Sequence, residues 1–379
     1  MENLNSVCYV ARINEIKEIQ GADNIEQCII GGWSSITKKN EHKINDLVVI
    51  ATTDAIIPQD LSDALNITSY LRKGQRVRTV KLRGIYSECL IIPFTYANIS
   101  TKSKLVEGSD CMNILNISKY EPPIKQIQSS SGKKIKYREN PNFHIYYKFP
   151  NLKNVKEMFT EKDLVQITRK IHGTNARYGI VKKSKLSLWD RIKKLFIIGD
   201  ELIDYEYVYG SHNVEKGSDS QGFYSTDVWR TIAERYDIKN KLRDKALRLY
   251  RDGTLGTGIV LYGEIYGEGI QKNYNYGLKD IEFVGFDVAI DGKYNSNFEN
   301  EMLFCPFNLD IPHVKILYCG KWSQEIQDSF TFNNFIEGTK IPHEGIVIKH
   351  KSGNRKKVAK VINPDYLIYS EKHNVGDSH

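Results

Sequence analysis

The chain has 379 residues, 40% apolar and 26% charged, with a formal net charge of +8. These are ordinary globular values, enough for two or three domains with a real core, and the positive balance leans towards a polyanionic partner. No apolar run approaches the roughly 18–20 residues that span a bilayer, Met1–Asn5 opens no secretory leader, and Cys8, Cys28, Cys89, Cys111, Cys305 and Cys319 lack metal or redox spacing, so reduced thiols, no membrane partner and an intracellular setting are expected. The Asn-, Ile- and Lys-rich composition further suggests an AT-rich genome, such as a viral one.

Residues 1–118 alternate short apolar runs with turn signals. Strands are predicted at Cys8–Ile13, Gln27–Ile30, Leu47–Ile50, Arg76–Leu82 and Glu88–Ile92, punctuated by turns such as Gly21-Ala22-Asp23-Asn24 and Gly31-Gly32. Five short strands suggest a small closed barrel of OB type. Within it, Arg72, Lys73, Arg76, Arg78, Lys81 and Arg83 crowd twelve residues. In a strand Arg76 and Arg78 share one face, while Lys81 and Arg83 take the other parity. Two readings stand: a stripe that tracks phosphates, or a solvated barrel face.

Residues 119–143 read as a linker, stiff at Tyr120-Glu121-Pro122-Pro123 and flexible at Ser129–Lys134. Residues 144–379 turn to mixed α and β. Ser187–Phe196 forms a short basic amphipathic pattern, with Trp189, Ile192 and Phe196 packing on the domain. Phosphate or membrane contact is its other use. Trp229, Ile232, Ala233 and Tyr236, then Leu242, Ala246 and Leu249, follow helical spacing, with Ser225 or Thr226 as the cap.

The chemistry gathers on a few polar groups at strand ends. Leu164–Ile167 runs into Lys170-Ile171-His172-Gly173, a strand closing in a tight turn that can present an ammonium to a pocket. Downstream follow Gly258–Ile265 with Glu264, Glu282–Val288 with Phe286 and an aspartate, Glu344–Lys349, and Arg355–Ile362 with Lys360. Alone, each is an ordinary strand with a charge at its rim; in this order they form a constellation. A lysine attacks only as the free amine, so its pKa must fall from ~10.4 by burial or neighbouring cations. Attack on the α-phosphate of a nucleotide would form a phosphoramidate and release pyrophosphate. Such transfer depends on positioning and charge neutralisation. Glu264 and Glu344 can hold a divalent cation, Lys360 can neutralise the phosphate, and Phe286 can stack on the base.

Taken together, these motifs resemble the covalent nucleotidyltransferase superfamily, and more narrowly the ATP-dependent RNA ligases that carry an N-terminal OB domain. Lys170-Ile171-His172-Gly173-Thr174-Asn175 is similar to the nucleophile motif, Tyr262-Gly263-Glu264 to the third, Phe283–Asp287 to its aromatic companion and Glu344–Val347 to the fourth. Arg12–Ile16, Gly21–Glu26 and Leu82–Ser87 resemble the OB module. The resemblance implies an α+β architecture: an OB-like barrel, then an ATP-grasp-like nucleotidyltransferase domain of antiparallel sheets with helices. It implies ATP as donor, AMP as covalent intermediate, and Mg2+ or Mn2+. Lys170, Glu264, Glu344 and Lys360 would be catalytic. Lys170, His172, Gly173, Asn175, Arg177, Phe286, Lys349 and Lys360 would surround the nucleotide. The partner would be a nicked RNA or RNA/DNA duplex, bound by a monomer.

Three positions depart from that pattern. Val358-Ala359-Lys360 stands where a Lys-x-Lys is usual, with Lys356 placed to compensate on the same strand face. Arg169 precedes the nucleophile where an acid is common. Gly210-Ser211-His212-Asn213 occupies the place of a motif that supplies an arginine, leaving that work to His212 or Arg177. A guanylyltransferase or DNA ligase would carry an OB domain after the fifth motif, where only 19 residues follow Lys360. A non-catalytic nucleic-acid sensor is the alternative of another class.

Overall fold

A computed structural model describes residues 6–72, 75–99, 104–120, 140–185, 201–212, 215–216, 227–294 and 309–375. Lys73, Cys305, most of the predicted linker, the predicted helix Ser187–Phe196, and Asn213, Ser225 and Thr226 lie outside the described residues.

The N-terminal region builds β1 (Cys8–Arg12), β2 (Glu15–Glu18), β3 (Ile25–Ile30), β4 (Trp33–Lys38), β5 (Leu47–Thr52), β6 (Ala55–Ile56), α1 (Gln59–Ala64), β7 (Val80–Leu82), β8 (Ile85–Ser87), β9 (Cys89–Ile92), α2 (Phe94–Ile99) and β10 (Ser118–Lys119). Sheets β1–β5–β9 and β2–β3–β4 are antiparallel, and β7–β8 is a hairpin. Polar groups of β4 close the barrel: the Glu88 N–H donates to the Ser34 carbonyl, and Ser35 Oγ to that of Cys89. Val10, Val49 and Ile92 pack one core, and Ile13, Ile30, Trp33 and Ile50 another, so β5 contributes to both. Its apolar run Leu47-Val48-Val49-Ile50 suits a strand covered on two faces. The predicted strand Arg76–Leu82 is confined to β7; Gln75 before it and Arg83 after it take positive φ, which bends the chain out of a regular ladder.

The second region carries β11 (Leu164–Lys170), β12 (Thr174–Lys182), β13 (Tyr205–Gly210), β14 (Glu215–Lys216), α3 (Val228–Arg235), α4 (Ile238–Arg251), β15 (Gly258–Gly267), β16 (Ile281–Ile290), β17 (Lys293–Tyr294), β18 (Ile316–Lys321), α5 (Gln324–Thr331), β19 (Gly345–His350), β20 (Val358–Ile362) and α6 (Pro364–Lys372). They form a four-stranded sheet, β18–β11–β19–β20, and a six-stranded one, β14–β13–β12–β15–β16–β17. β11 and β12 follow one another yet belong to different sheets, so the Ile171–Gly173 turn crosses from one to the other. Trp229, Ile232, Leu242 and Ala246 cover one face of the larger sheet, while Phe143 and Tyr146 cover the opposite one. Asp237, in the left-handed region at φ 51°, splits the expected helix in two, and Asp227 caps α3. The expected strand from Arg355 begins only at Val358; Arg355–Lys357 is a single 3-10 turn.

The two regions meet along a polar seam. Lys153 pairs with Glu88, both largely buried, and Trp33 Nε1 donates to Asn154 Oδ1 at 3.1 Å. Gly32 lies so close to the Lys153 backbone that a Cβ would collide with it. From α6, Asp365 accepts from Tyr86 Oη at 2.6 Å and faces Lys81 at 3.5 Å, while Glu371 accepts from Arg78 at 2.8 Å. None of the five described cysteines forms a disulfide. Among the described residues no helix is long and apolar enough to cross a membrane.

Candidate active site

The site forms where the two sheets converge. Lys170 is the last residue of β11, and β11 pairs with β19 so that Lys170 lies opposite Gly345. Glu344, immediately before β19, thereby reaches the lysine: Lys170 Nζ donates to Glu344 Oε1 at 2.7 Å. β20 pairs with β19 on its other side and sets Lys360 opposite Val347. From the larger sheet, β15 brings Glu264, opposite Asn175 on β12. Two glycines permit this density. A Cβ on Gly173 would strike the Ile265 carbonyl oxygen, and one on Gly345 (φ +154°) would strike that of Val361.

The electrostatics divide the two carboxylates. Burial pushes Glu264 up to about 8; Lys170 and the Gly173 N–H favour its anion but are outweighed, and Glu344 adds repulsion. Burial would raise Glu344 too, yet Lys170, His172 and Lys360 prevail and hold it below the usual carboxylate range. Burial, then Lys170, lowers Lys360, with Glu344 opposing. One carboxylate is therefore an anion beside the amine, and the other is held near-neutral. Glu344 Oε2 is buried with no hydrogen-bond partner among the described residues. The orphaned Oε2 of the Glu344 anion, with the neighbouring Glu264 carboxyl once its proton is displaced, makes an oxygen donor pair that a divalent cation would fit. No group of three or more His, Cys, Asp or Glu with metal-holding geometry occurs among the described residues, so further ligands would come from substrate or water.

Beside Lys170 opens a cavity of about 170 Å³, with Tyr146, Phe149, Phe286, Val314 and Val347 on its apolar side and Asn175, Glu264 and Lys349 among its polar groups. Phe286 is held edge-on to Tyr146, centroids 4.9 Å apart. Asn175 Oδ1 is buried without a partner among the described residues, an acceptor available to a bound ligand. Lys349 donates to Asp287 at 2.9 Å and to the Phe286 carbonyl at 3.2 Å, and Tyr146 Oη also donates to Asp287, at 2.9 Å. A second groove, about 420 Å³, runs between the two regions and ends at Lys170 and Lys360, flanked by Lys119, Lys148 and Lys153.

Lys170, Glu264, Asn175, Phe286, Lys349, Glu344 and Lys360 thus converge, with Gly173 as the hinge. Two expected nucleotide contacts face elsewhere. The His172 ring packs between Tyr274 and Tyr366, 5.3 Å from each. Arg177 lies on the Phe143 ring and donates to the Ser211 and Phe143 carbonyls, 2.8 Å each, off the cavity lining. Burial lowers it to about 10. Lys356 is exposed on the 3-10 turn and does not share the strand face of Lys360. Of the basic stripe, Arg76 pairs with Asp54 and stacks on Tyr120, while Arg78 and Lys81 are engaged at the seam. Arg83 is exposed, and Arg72 is part-buried. Sequence reasoning passed over Tyr146, Phe149 and Lys148; the string Tyr146-Tyr147-Lys148-Phe149-Pro150, aromatic and basic just before β11, was the available signal.

Comparison with known proteins follows the same lines. The RNA ligase family model matches residues 163–362, and an OB-fold domain model matches residues 7–94. No curated protein sequence matches significantly. Among solved structures, a Naegleria gruberi RNA ligase variant holding ATP and Mn superposes with a TM-score of 0.68 at 23% identity, covering 97% of this chain and 99% of that one. Another variant of that ligase, with AMP and Mn, gives 0.69 at 23% identity over 98% and 99%. The same ligase with pyrophosphate gives 0.68 at 23% over 98% and 99%.

Proposed function

The chain belongs to the RNA ligase family, and from that premise we propose that it is an ATP-dependent enzyme sealing 3′-OH/5′-phosphate nicks in RNA or RNA/DNA duplexes. The carrying observation is the 2.7 Å contact of Lys170 with Glu344 at the mouth of an aromatic-lined cavity. The Naegleria ligase was captured with ATP, AMP and Mn, which supports the same donor and a divalent metal here.

The residues suggest a three-step course. Lys170 Nζ first yields a proton to solvent; the Glu344 anion at 2.7 Å orients the amine, and the neighbouring Lys360 charge opposes the ammonium form. The free amine attacks the α-phosphorus of ATP: an N–P bond forms, the bond to the bridging oxygen breaks, pyrophosphate leaves, and nitrogen's second proton passes to solvent. The 5′-phosphate of the downstream strand then attacks that phosphorus, AMP leaves Lys170 for the strand, and the amine regains its proton. Finally the 3′-OH attacks the activated 5′-phosphate and expels AMP. Phe286 offers the base a stacking face and Asn175 Oδ1 an acceptor. Lys360, close enough to lower and be lowered by neighbouring charge, meets the α-phosphate. Glu264 and Glu344 would hold the divalent cation, which supplies further neutralisation of phosphate charge.

Residues 1–118 would serve as the duplex-gripping OB domain and 144–379 as the adenylyltransferase, acting as a monomer inside the cell. Arg72, Lys73 and Arg83 are the members of the basic stripe we assign to the duplex backbone. Incubation with α-³²P-ATP, or separately GTP, and manganese, followed by denaturing electrophoresis, tests the reading. A band with ATP that Lys170→Ala removes, and joining of a nicked RNA duplex, is expected. A band that survives Lys170→Ala, or one with GTP alone, refutes it.

A further inference from the structure

Three residues past Lys360 lies Asn363, fully buried at 0% exposure. Its backbone N–H and side-chain amide are both used on one distant segment, and its side-chain oxygen on the helix that follows. Its backbone N–H donates to the Glu344 carbonyl at 2.9 Å, and Nδ2 donates to the His343 carbonyl at 3.1 Å. Its Oδ1 accepts from the Asp365 N–H at 3.0 Å, capping α6. Two bonds thus hold the His343-Glu344 segment against the end of β20, and the third starts the helix whose Asp365 and Glu371 grip the N-terminal barrel.

The consequence falls on the catalytic pair. Glu344 sits just outside the β19–β20 ladder, whose last register position is Gly345 with Ile362. Beyond that position the segment is also held from other sides, by Lys170 on the Glu344 carboxylate, by the Asn334 carbonyl on the His343 N–H and by Tyr274 Oη on the Pro342 carbonyl. The hydrogen bonds described there that tie it to the strand of Lys360, however, are those of Asn363. We infer that Asn363 is a positioning residue for ligation, strapping Glu344 to the strand that carries Lys360. The inference rests on the ligase reading above. It touches neither nucleotide nor RNA and acts through the other two.

The cap and the strap can be separated. Asn363→Ser keeps a side-chain acceptor for the helix N-terminus, since serine caps about as well as asparagine, but loses the amide that reaches His343. Asn363→Ala loses both. Displacements near 1 Å cost catalysis on the order of 100-fold. Single-turnover labelling with α-³²P-ATP is therefore expected to show Asn363→Ser adenylylating about 100-fold slower, with half-saturating ATP within threefold of the parent. Its Tm should stay within a few degrees, whereas Asn363→Ala falls further. Asn363→Ser that labels at the parental rate overturns the inference, as does a change confined to half-saturating ATP. A parent that takes no label sinks the ligase reading and this inference together; a labelled parent with a fully active serine variant sinks the inference alone.

Discussion

Glu264 is a part-buried carboxyl whose surroundings favour its protonated form, and that makes a signed prediction. With the folded value raised to about 8 against an ordinary 4.5, its contribution to stability is complete below pH 4.5 and drains away as pH climbs through 8. The total loss is on the order of 5 kcal/mol, at 1.36 kcal/mol per pKa unit, of which about 3 kcal/mol falls between pH 5.5 and 8.5. Glu264→Gln preserves shape and still accepts from the Gly173 N–H, but has no proton to lose. An unfolding entropy near 2.1 cal/mol/K per residue converts about 3 kcal/mol to roughly 4 °C for this chain. Calorimetry in EDTA at pH 5.5, 7 and 8.5 should show the parent losing about that much Tm relative to Glu264→Gln, which stays catalytically dead. Adding Mn2+ at pH 8.5 should restore the parent and leave the variant unmoved. Parallel Tm curves for the two proteins, in EDTA, would refute the assignment of Glu264 as the proton-holding half of a cation site.

Three further outcomes follow from the same geometry. Gly173→Ala must displace the Ile265 carbonyl or the turn that presents Lys170, so labelled lysyl-AMP should fall by at least about 100-fold in protein with unchanged circular dichroism. Phe286→Ala removes the aromatic wall of the cavity; half-saturating ATP should rise about tenfold, and Phe286→Tyr should retain most affinity, as measured by titrating the adenylylation rate. Arg177→Lys cannot span both the Ser211 and Phe143 carbonyls, so it should cost about 2 kcal/mol in urea denaturation while leaving half-saturating ATP within twofold. A large ATP effect with intact stability would return Arg177 to the nucleotide.

What could be read from the chain beforehand was whatever is local. Lys170 at a strand end, with Gly173 three residues on, follows from one short string, and Glu264, Phe286 and Glu344 each sit in a strand pattern of their own. The positions that misled depend on distant partners. Arg177 is taken by carbonyls 34 residues away on either side, and Arg78 by a carboxylate 293 residues downstream. Nothing near those arginines marks them as occupied. The helix expected between residues 225 and 250 carried the right apolar spacing, but periodicity is blind to one left-handed residue at Asp237. The basic run ahead of β20 failed through its own composition: Asn354 caps a single 3-10 turn, so Lys356 leaves the strand.

The seam between the barrel and α6 also bears on how RNA binding responds to salt. Each lysine or arginine that neutralises a phosphate releases a condensed counterion and steepens the salt dependence by about 0.9 per contact on duplex. Read from composition, the six basic residues of 72–83 would contribute a slope near −5. Arg76, Arg78 and Lys81 already face Asp54, Glu371 and Asp365, and a cation paired within the protein has no counterion of the nucleic acid to release. This segment's share should then be nearer −3. Half of the charge that looks like an RNA grip is paired within the protein, so any hold this segment has on RNA should be lighter and more salt-tolerant than its composition implies.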